Sequence, residues 1–189
     1  MMRCSHRNGA EVVIPGYHAR LTVAEMARAR RWAGVFSRSP LTALSDPHAG
    51  SAAAVVDGVA FCSTVLPWCS CVPVPWGEGT HAERSAAALD SLLTALPRGS
   101  LVWGGDWNHS LVGPESSGSK AGRAHLERAL DELGLHVPTR DLPHRLDGVG
   151  TIDHIAVPRA VTVVCATRVS AVGPDGALSD HDAYVVEIG

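Results

Sequence analysis

Two apolar, partly β-branched runs, Ala52 to Val56 and Val59 to Val65, meet across Asp57-Gly58. Asp-Gly is the pair that best tolerates positive φ in a two-residue turn, so the segment predicts an antiparallel hairpin. It is the firmest local constraint the sequence places on the fold. Around it, further elements follow from periodicity. Leu89, Leu92, Leu93 and Leu96 fall at helical spacing within His81 to Leu96, and Pro97-Arg98-Gly99 stops that helix. A second helix spans about Ala121 to Leu133 and ends at Gly134.

Strands are expected at Ser100 to Trp103, Thr151 to Val157, Val161 to Val169 and Ala183 to Ile188. Phe36 to Leu44 reads as a turn or short strand broken by Pro40. Nearer the start, Val23 to Trp32 is rich in Ala, Arg, Glu and Met, which predicts a helix capped by Thr22 and ended by Gly34. Prolines and glycines between Pro67 and Thr80 forbid regular structure, so this stretch is expected to be a surface loop. Gly113 to Gly122 reads as a second, flexible loop.

At 189 residues the chain has the size of one domain, and no repeat or shift of composition divides it. A formal charge of -3, with acids and bases interspersed, argues against a broad cationic face for tight, sequence-independent DNA binding. It leaves room for a local basic groove involving Arg123, Arg128, Arg140 or Arg145. The five cysteines are an odd number and sparse for a disulfide-stapled secreted fold. Reduced thiols and a cytoplasmic setting are expected. No run of about 18 apolar residues occurs, and the basic start lacks an apolar region, so neither a membrane span nor a standard secretion signal is expected. No partner protein is identifiable.

Three polar clusters share one placement, each at the end of an apolar strand: Asp106-Trp107-Asn108, Asp153-His154 and Ser179-Asp180-His181. Strand ends of α/β sheets are where side chains from distant segments converge on a ligand. Hydrolysis of a phosphoester needs a divalent cation, a base for water, and a donor for the charge of the transition state. Asp, Asn and His supply these, and an oxygen-rich set of Asp residues suits Mg2+ or Mn2+. Judged singly, Asp106 and Asn108 also suit a turn, Asp153 an edge-strand acid and Asp180 a helix cap. Their combination with His181 favours a site.

These motifs resemble, in kind and order, those of the endonuclease/exonuclease/phosphatase superfamily, the DNase I-like proteins. Gly105-Asp106-Trp107-Asn108 is similar to its G-D-x-N element, Ile152-Asp153-His154-Ile155 to I-D-h-I, and Ser179-Asp180-His181 to the terminal S-D-H. Gly34-Val-Phe-Ser37-Arg38-Ser-Pro40-Leu41 resembles the stretch before the family's central hairpin, so the similarity runs from about residue 34 to 189. The Arg84-containing helix also fits. The resemblance implies an α/β fold, a two-sheet sandwich with outer helices, N-terminally incomplete. It implies that Asp106 activates the attacking water, with Asn108 fixing its geometry and holding phosphate. Asp180 would lie with Asp106 at the metal. His181 would contact the phosphate, and Asp153 would hold its ring in one tautomer and favour the protonated form.

Two family features have no counterpart. No strand ending in a Gln-Glu metal ligand precedes Gly34, and Glu11 and Glu25 read as solvated surface charges. After the hairpin, where the family places a His or Tyr, the chain has Thr64-Val65, with His81 or Trp68 as possible compensation. The alternative to a hydrolase is therefore an inactive or truncated member of the fold that binds phosphate or acts as a scaffold.

Among the other residues, His154 points to the opposite face of its strand from Asp153 and reads as structural. His48, His125, His136 and His144 read as surface residues. Trp103 is assigned to the core, while Trp107 either lines a substrate groove or packs. Cys62, Cys69, Cys71 and His81 lie at a spacing outside the usual zinc patterns.

Overall fold

The computed structural model describes residues 13–27, 30–72, 74–114, 117–174 and 176–189. Strand β1 (His18–Leu21) pairs antiparallel with β4 (Gly34–Ser37), and between them lie the short strands β2 (Glu25–Ala27) and β3 (Arg30–Arg31). In place of the helix expected from Val23 to Trp32 stand these two short strands, paired antiparallel. Polar anchors override the segment's helical propensity: the Thr22 hydroxyl accepts from the Trp32 amide (3.1 Å) and donates to the Ala24 carbonyl (2.9 Å). The Val23 amide donates to Asp46 (2.6 Å), and the Trp32 ring meets Trp76 edge-on at 4.9 Å. Bonds to remote residues outweigh a propensity of tenths of a kcal/mol per residue, roughly the scale of helix preferences. Gly34 is a strand residue, not a helix stop.

After Pro40 the chain forms β5 (Leu41–Ala43), then the hairpin β6 (Ser51–Val56) and β7 (Val59–Val65). Asp57 and Gly58 have φ of 49° and 81°, as the sequence predicts for this turn. The next strand, β8 (Leu101–Asp106), runs parallel to β7, so the chain must cross over; α1 (His81–Ala95) lies in that crossover. Its capping box is complete, with Thr80 accepting from the Glu83 amide and the Glu83 carboxylate accepting from the Thr80 amide. Helix α2 (Lys120–Glu132) starts at a Ser119 cap and ends before Gly134, whose φ is 68°. It leads into β9 (Leu135–His136) and β10 (Asp153–Pro158), which close a six-stranded mixed sheet in the order β5-β6-β7-β8-β10-β9.

Strand β11 (Val163–Val169) pairs with β14 (Ala183–Ile188), and the small β12 (Val172–Gly173) with β13 (Gly176–Ala177) lie between them. Leu89 and Leu92 from α1, its C-cap Leu96, and Leu126 and Leu130 from α2 join Trp103, Cys62 and Leu101 in one buried cluster, so both helices cover one face of the six-stranded sheet. Val35, Ala52, Ala54 and Tyr184 are buried outside that cluster. They mark the other face, against which the β1–β4 and β11–β14 pairs pack. The α/β two-sheet sandwich is thus present, with its second layer made of two separate strand pairs. The described residues from Pro67 to Thr80 form neither helix nor strand, as expected, yet the segment is more than a surface loop: Cys71 and Trp76 are buried in the core. No helix among the described residues is long and apolar enough to cross a membrane.

Candidate active site

Strand pairing places the first two acids. Asp106, at the end of β8, is the register partner of Asp153, at the start of β10. Directly opposed residues of an antiparallel ladder point to the same face, so the two carboxylates project together. They lie on the face away from the helices. His154, the next residue, points the other way: it is fully buried, donates from Nε2 to the His109 carbonyl (2.9 Å) and meets the Trp107 ring at 5.0 Å.

His181 comes from the loop before β14. Its Nδ1 bonds to Asp153 Oδ2 at 2.6 Å, with both side chains largely shielded from solvent. A carboxylate at Nδ1 fixes the tautomer and turns Nε2 outward. Asp106, Asp153 and His181 each offer a donor atom, and those atoms lie within 4.8 Å of one another. The loop is held at several points. The His181 amide donates to Ser179 Oγ (3.1 Å), and Arg145 donates to the Ser179 carbonyl (2.6 Å). Buried Asp182 accepts from the Ala171 amide (2.9 Å) and pairs with Arg168 (3.5 Å).

Asn108 is buried beside Asp106 and has a φ of 52°, the left-handed conformation that Asn tolerates better than most residues. Its backbone amide donates to Asp106 Oδ1 (3.2 Å), and its side-chain Nδ2 donates to the Leu66 carbonyl (2.8 Å). The Trp107 amide between them donates to the Ile152 carbonyl (2.8 Å), stitching this turn to the start of β10. Thr151 supports the same corner, its hydroxyl bonding to both the amide and the carbonyl of Asp153 (3.0 Å each).

The structure therefore gathers Asp106, Asn108, Asp153 and His181. Asp180 is exposed and lies outside the three-residue group, whose second carboxylate is Asp153. Trp107 has no exposed surface and stacks on Trp103 at 4.3 Å, so it packs and does not line a groove. His81 is bonded to the Pro67 carbonyl (3.1 Å) and Ser119 (3.0 Å), and Trp68 packs on Trp76 at 5.2 Å, so neither joins the group. Thr64 instead accepts from Trp103 Nε1 (3.0 Å) in the core.

Glu25 is an exposed strand residue near Arg31 (3.7 Å), and Glu11 lies outside the described residues. The zinc arrangement does not form: burial pushes the Cys62 thiol up to about 12, and its sulfur faces Thr64. Of the four arginines considered for a basic groove, Arg128 and Arg140 pair with Asp90 and Glu127 (2.8 Å each). Arg123 donates to the Gly113 carbonyl (3.1 Å), and Arg145 is the loop brace already described. One residue at the site was read as surface. His144 is half-buried, and its ring centroid is 6.5 Å from that of His181 at an interplanar angle of 78°. Nothing in its sequence neighbourhood signals this, because the loop that carries it has no periodicity.

Comparison of the fold with solved structures defines its class. An AP endonuclease from Archaeoglobus fulgidus superposes with a TM-score of 0.67 at 15% identity, covering 92% of this chain and 79% of that one. The 3′ phosphatase NExo from Neisseria, bound to product DNA hairpin, gives 0.65 at 20% identity, covering 92% and 80%. An endonuclease/exonuclease/phosphatase from Bacteroides vulgatus gives 0.57 at 13% identity, covering 93% and 77%. The fold of this chain is the DNase I-like fold of the endonuclease/exonuclease/phosphatase superfamily. The likeness covers more of the chain than residues 34–189, so it reaches upstream of the stretch where the sequence motifs begin. No family model matches the sequence, and no curated protein matches it.

Proposed function

We propose that this chain is a metal-dependent phosphoester hydrolase acting on a nucleic acid or a small phosphorylated molecule. The observation that carries the reading is the 2.6 Å bond from His181 to Asp153 beside the in-register carboxylate of Asp106. Asp106 takes the proton of the attacking water as the new bond to phosphorus forms and the ester oxygen departs. Asn108, its amide nitrogen tied to Leu66, offers its side-chain oxygen to orient that water. His181 donates from Nε2 to a phosphoryl oxygen, where negative charge grows, and Asp153 holds the ring for that task.

Two carboxylates with an imidazole at their edge form a hard donor set that fits Mg2+ or Mn2+ retaining much of its water. Asp106 and Asp153 would hold it, and its chemistry is to neutralise phosphoryl oxygens. The described cysteines, Cys62, Cys69, Cys71 and Cys165, are free thiols, and a cytoplasmic setting is part of the proposal.

The test is hydrolysis of bis(4-nitrophenyl) phosphate with Mn2+ or Mg2+, with chelator as control. The expected result is turnover that chelator abolishes and that His181→Ala reduces by about two to four orders of magnitude. No turnover, with no metal binding at millimolar concentration, would favour a phosphate-binding or scaffolding role for the fold.

A further inference from the structure

The loop that carries His144 is braced on three sides. The Pro143 carbonyl accepts from the Tyr184 hydroxyl (2.9 Å), the His144 carbonyl accepts from Arg168 (2.7 Å), and Arg145 donates to the Ser179 carbonyl (2.6 Å). Within the loop, Pro143 bridges to Gly150, and the His144 amide donates to the Val149 carbonyl (3.1 Å). These bonds tie it to β11, to β14 and to the Ser179 loop that positions His181. The placement of His144 beside His181 is therefore fixed by several remote partners.

The tautomer of His144 is also fixed. Its Nδ1 accepts from the Leu146 amide at 3.0 Å, so the neutral ring carries its hydrogen on Nε2. Nε2 is at the tip of the ring, away from its own backbone. The charged groups facing this ring are Asp153, Asp182, His181 and Arg168. Asp153 is engaged with His181, and Asp182 with Arg168 and the Ala171 amide. Neither carboxylate is placed by those bonds to accept from His144.

We propose that His144 is a second substrate-contacting imidazole, whose Nε2–H donates to an oxygen of the phosphoryl group that His181 contacts. This deepens the proposed function and rests on it. Two imidazoles with centroids 6.5 Å apart and rings at 78° are near enough for two oxygens of one tetrahedral phosphate to bridge them. Phosphate, phosphomonoester and phosphodiester substrates share those oxygens, so the contact would strengthen binding of the whole class.

The experiment compares His144→Phe, which keeps a ring without a donor, and His144→Gln, which restores an N–H near the Nε2 position. KM and kcat are measured on bis(4-nitrophenyl) phosphate with Mn2+, and inorganic phosphate is titrated calorimetrically into each variant. Losing one hydrogen bond to a charged group predicts a rise in KM and in phosphate Kd of roughly tenfold or more in the Phe variant. The Gln variant should recover most of it. Parameters equal to wild type in both variants overturn the proposal, as does equal impairment of both with a lowered melting temperature, which marks a structural role. A wild-type protein that binds phosphate without turning over the diester defeats the hydrolase reading alone; loss of that binding in the Phe variant would still support the His144 contact. Absence of phosphate binding and of turnover in the wild type overturns both.

Discussion

Asp106 and Asp153 face each other across the β8–β10 ladder as register partners, so two carboxylates from segments 47 residues apart share one face of the sheet. Like charges opposed in a ladder repel. Asp153 is partly compensated by His181, and a bound cation would relieve the rest. Mn2+ or Mg2+ at about a hundred times its Kd should therefore stabilise the fold by roughly 2.7 kcal/mol. Thermal unfolding with and without metal measures this. Asp106→Asn should abolish the metal-dependent shift, and a shift retained in that variant would place the ion elsewhere.

Asn108 separates backbone from side-chain effects. Its φ of 52° strains most residues but suits glycine, while its amide anchors the Leu66 carbonyl. Asn108→Ala should lose both backbone fit and amide and unfold more readily than Asn108→Gly, by about 1 kcal/mol. Both should lose turnover alike. Wild-type turnover in the Gly variant would remove the amide from the proposed chemistry.

His109 and His154 make stability depend on pH. Burial lowers both to about 4, and among the described residues neither His109 Nε2 nor His154 Nδ1 has a hydrogen-bond partner. Unfolded histidine titrates near 6.5, roughly the value in model peptides. The folded rings stay neutral while the unfolded chain takes up protons, so stability is complete above pH ~6.5 and falls towards pH ~4. Each ring contributes on the order of 1 kcal/mol per pH unit within that window. Denaturant unfolding at pH 7.0 and 5.0 should show the loss, and His154→Gln, which keeps a donor for the His109 carbonyl, should about halve it. An unchanged slope would mean that the ring is hydrated in the folded protein.

Gly122 reverses an ordinary helix rule. In the first turn of α2 an alanine would usually gain up to about 1 kcal/mol over glycine. Here its Cβ would fall 2.3 Å from His109 Nε2, and the ring has no room to retreat because it is fully buried and bonded to the Trp107 carbonyl (2.7 Å). Gly122→Ala should therefore lower the melting temperature. A rise would show that the ring can shift.

How far this was legible in the sequence depended on whether the signal was local. The Asp57-Gly58 hairpin and both helices followed from turn chemistry and periodicity within a few residues. Asp106, Asp153 and His181 could be read as one site because each sits at a strand end in a recognisable short motif. The segment after Thr22 was misread because its strands are dictated by remote partners, Asp46 and Trp76. The same holds for Trp107, whose burial depends on Trp103 and His154, and for His144, brought to His181 by bonds from Tyr184 and Arg168. Asp180 rests on its motif alone: it is exposed, whereas His181 beside it is bonded to Asp153.

In the proposed function Asp153 acts on the phosphate through His181. A double-mutant cycle on kcat/KM with Asp153→Asn and His181→Ala measures it directly. Asp153→Asn is expected to cost far less in the His181→Ala background than in the wild type, since a ring that is gone needs no orienting carboxylate and only the carboxylate's share in holding the cation is left to lose. Losses that simply multiply would contradict it, because the two side chains would then be working independently.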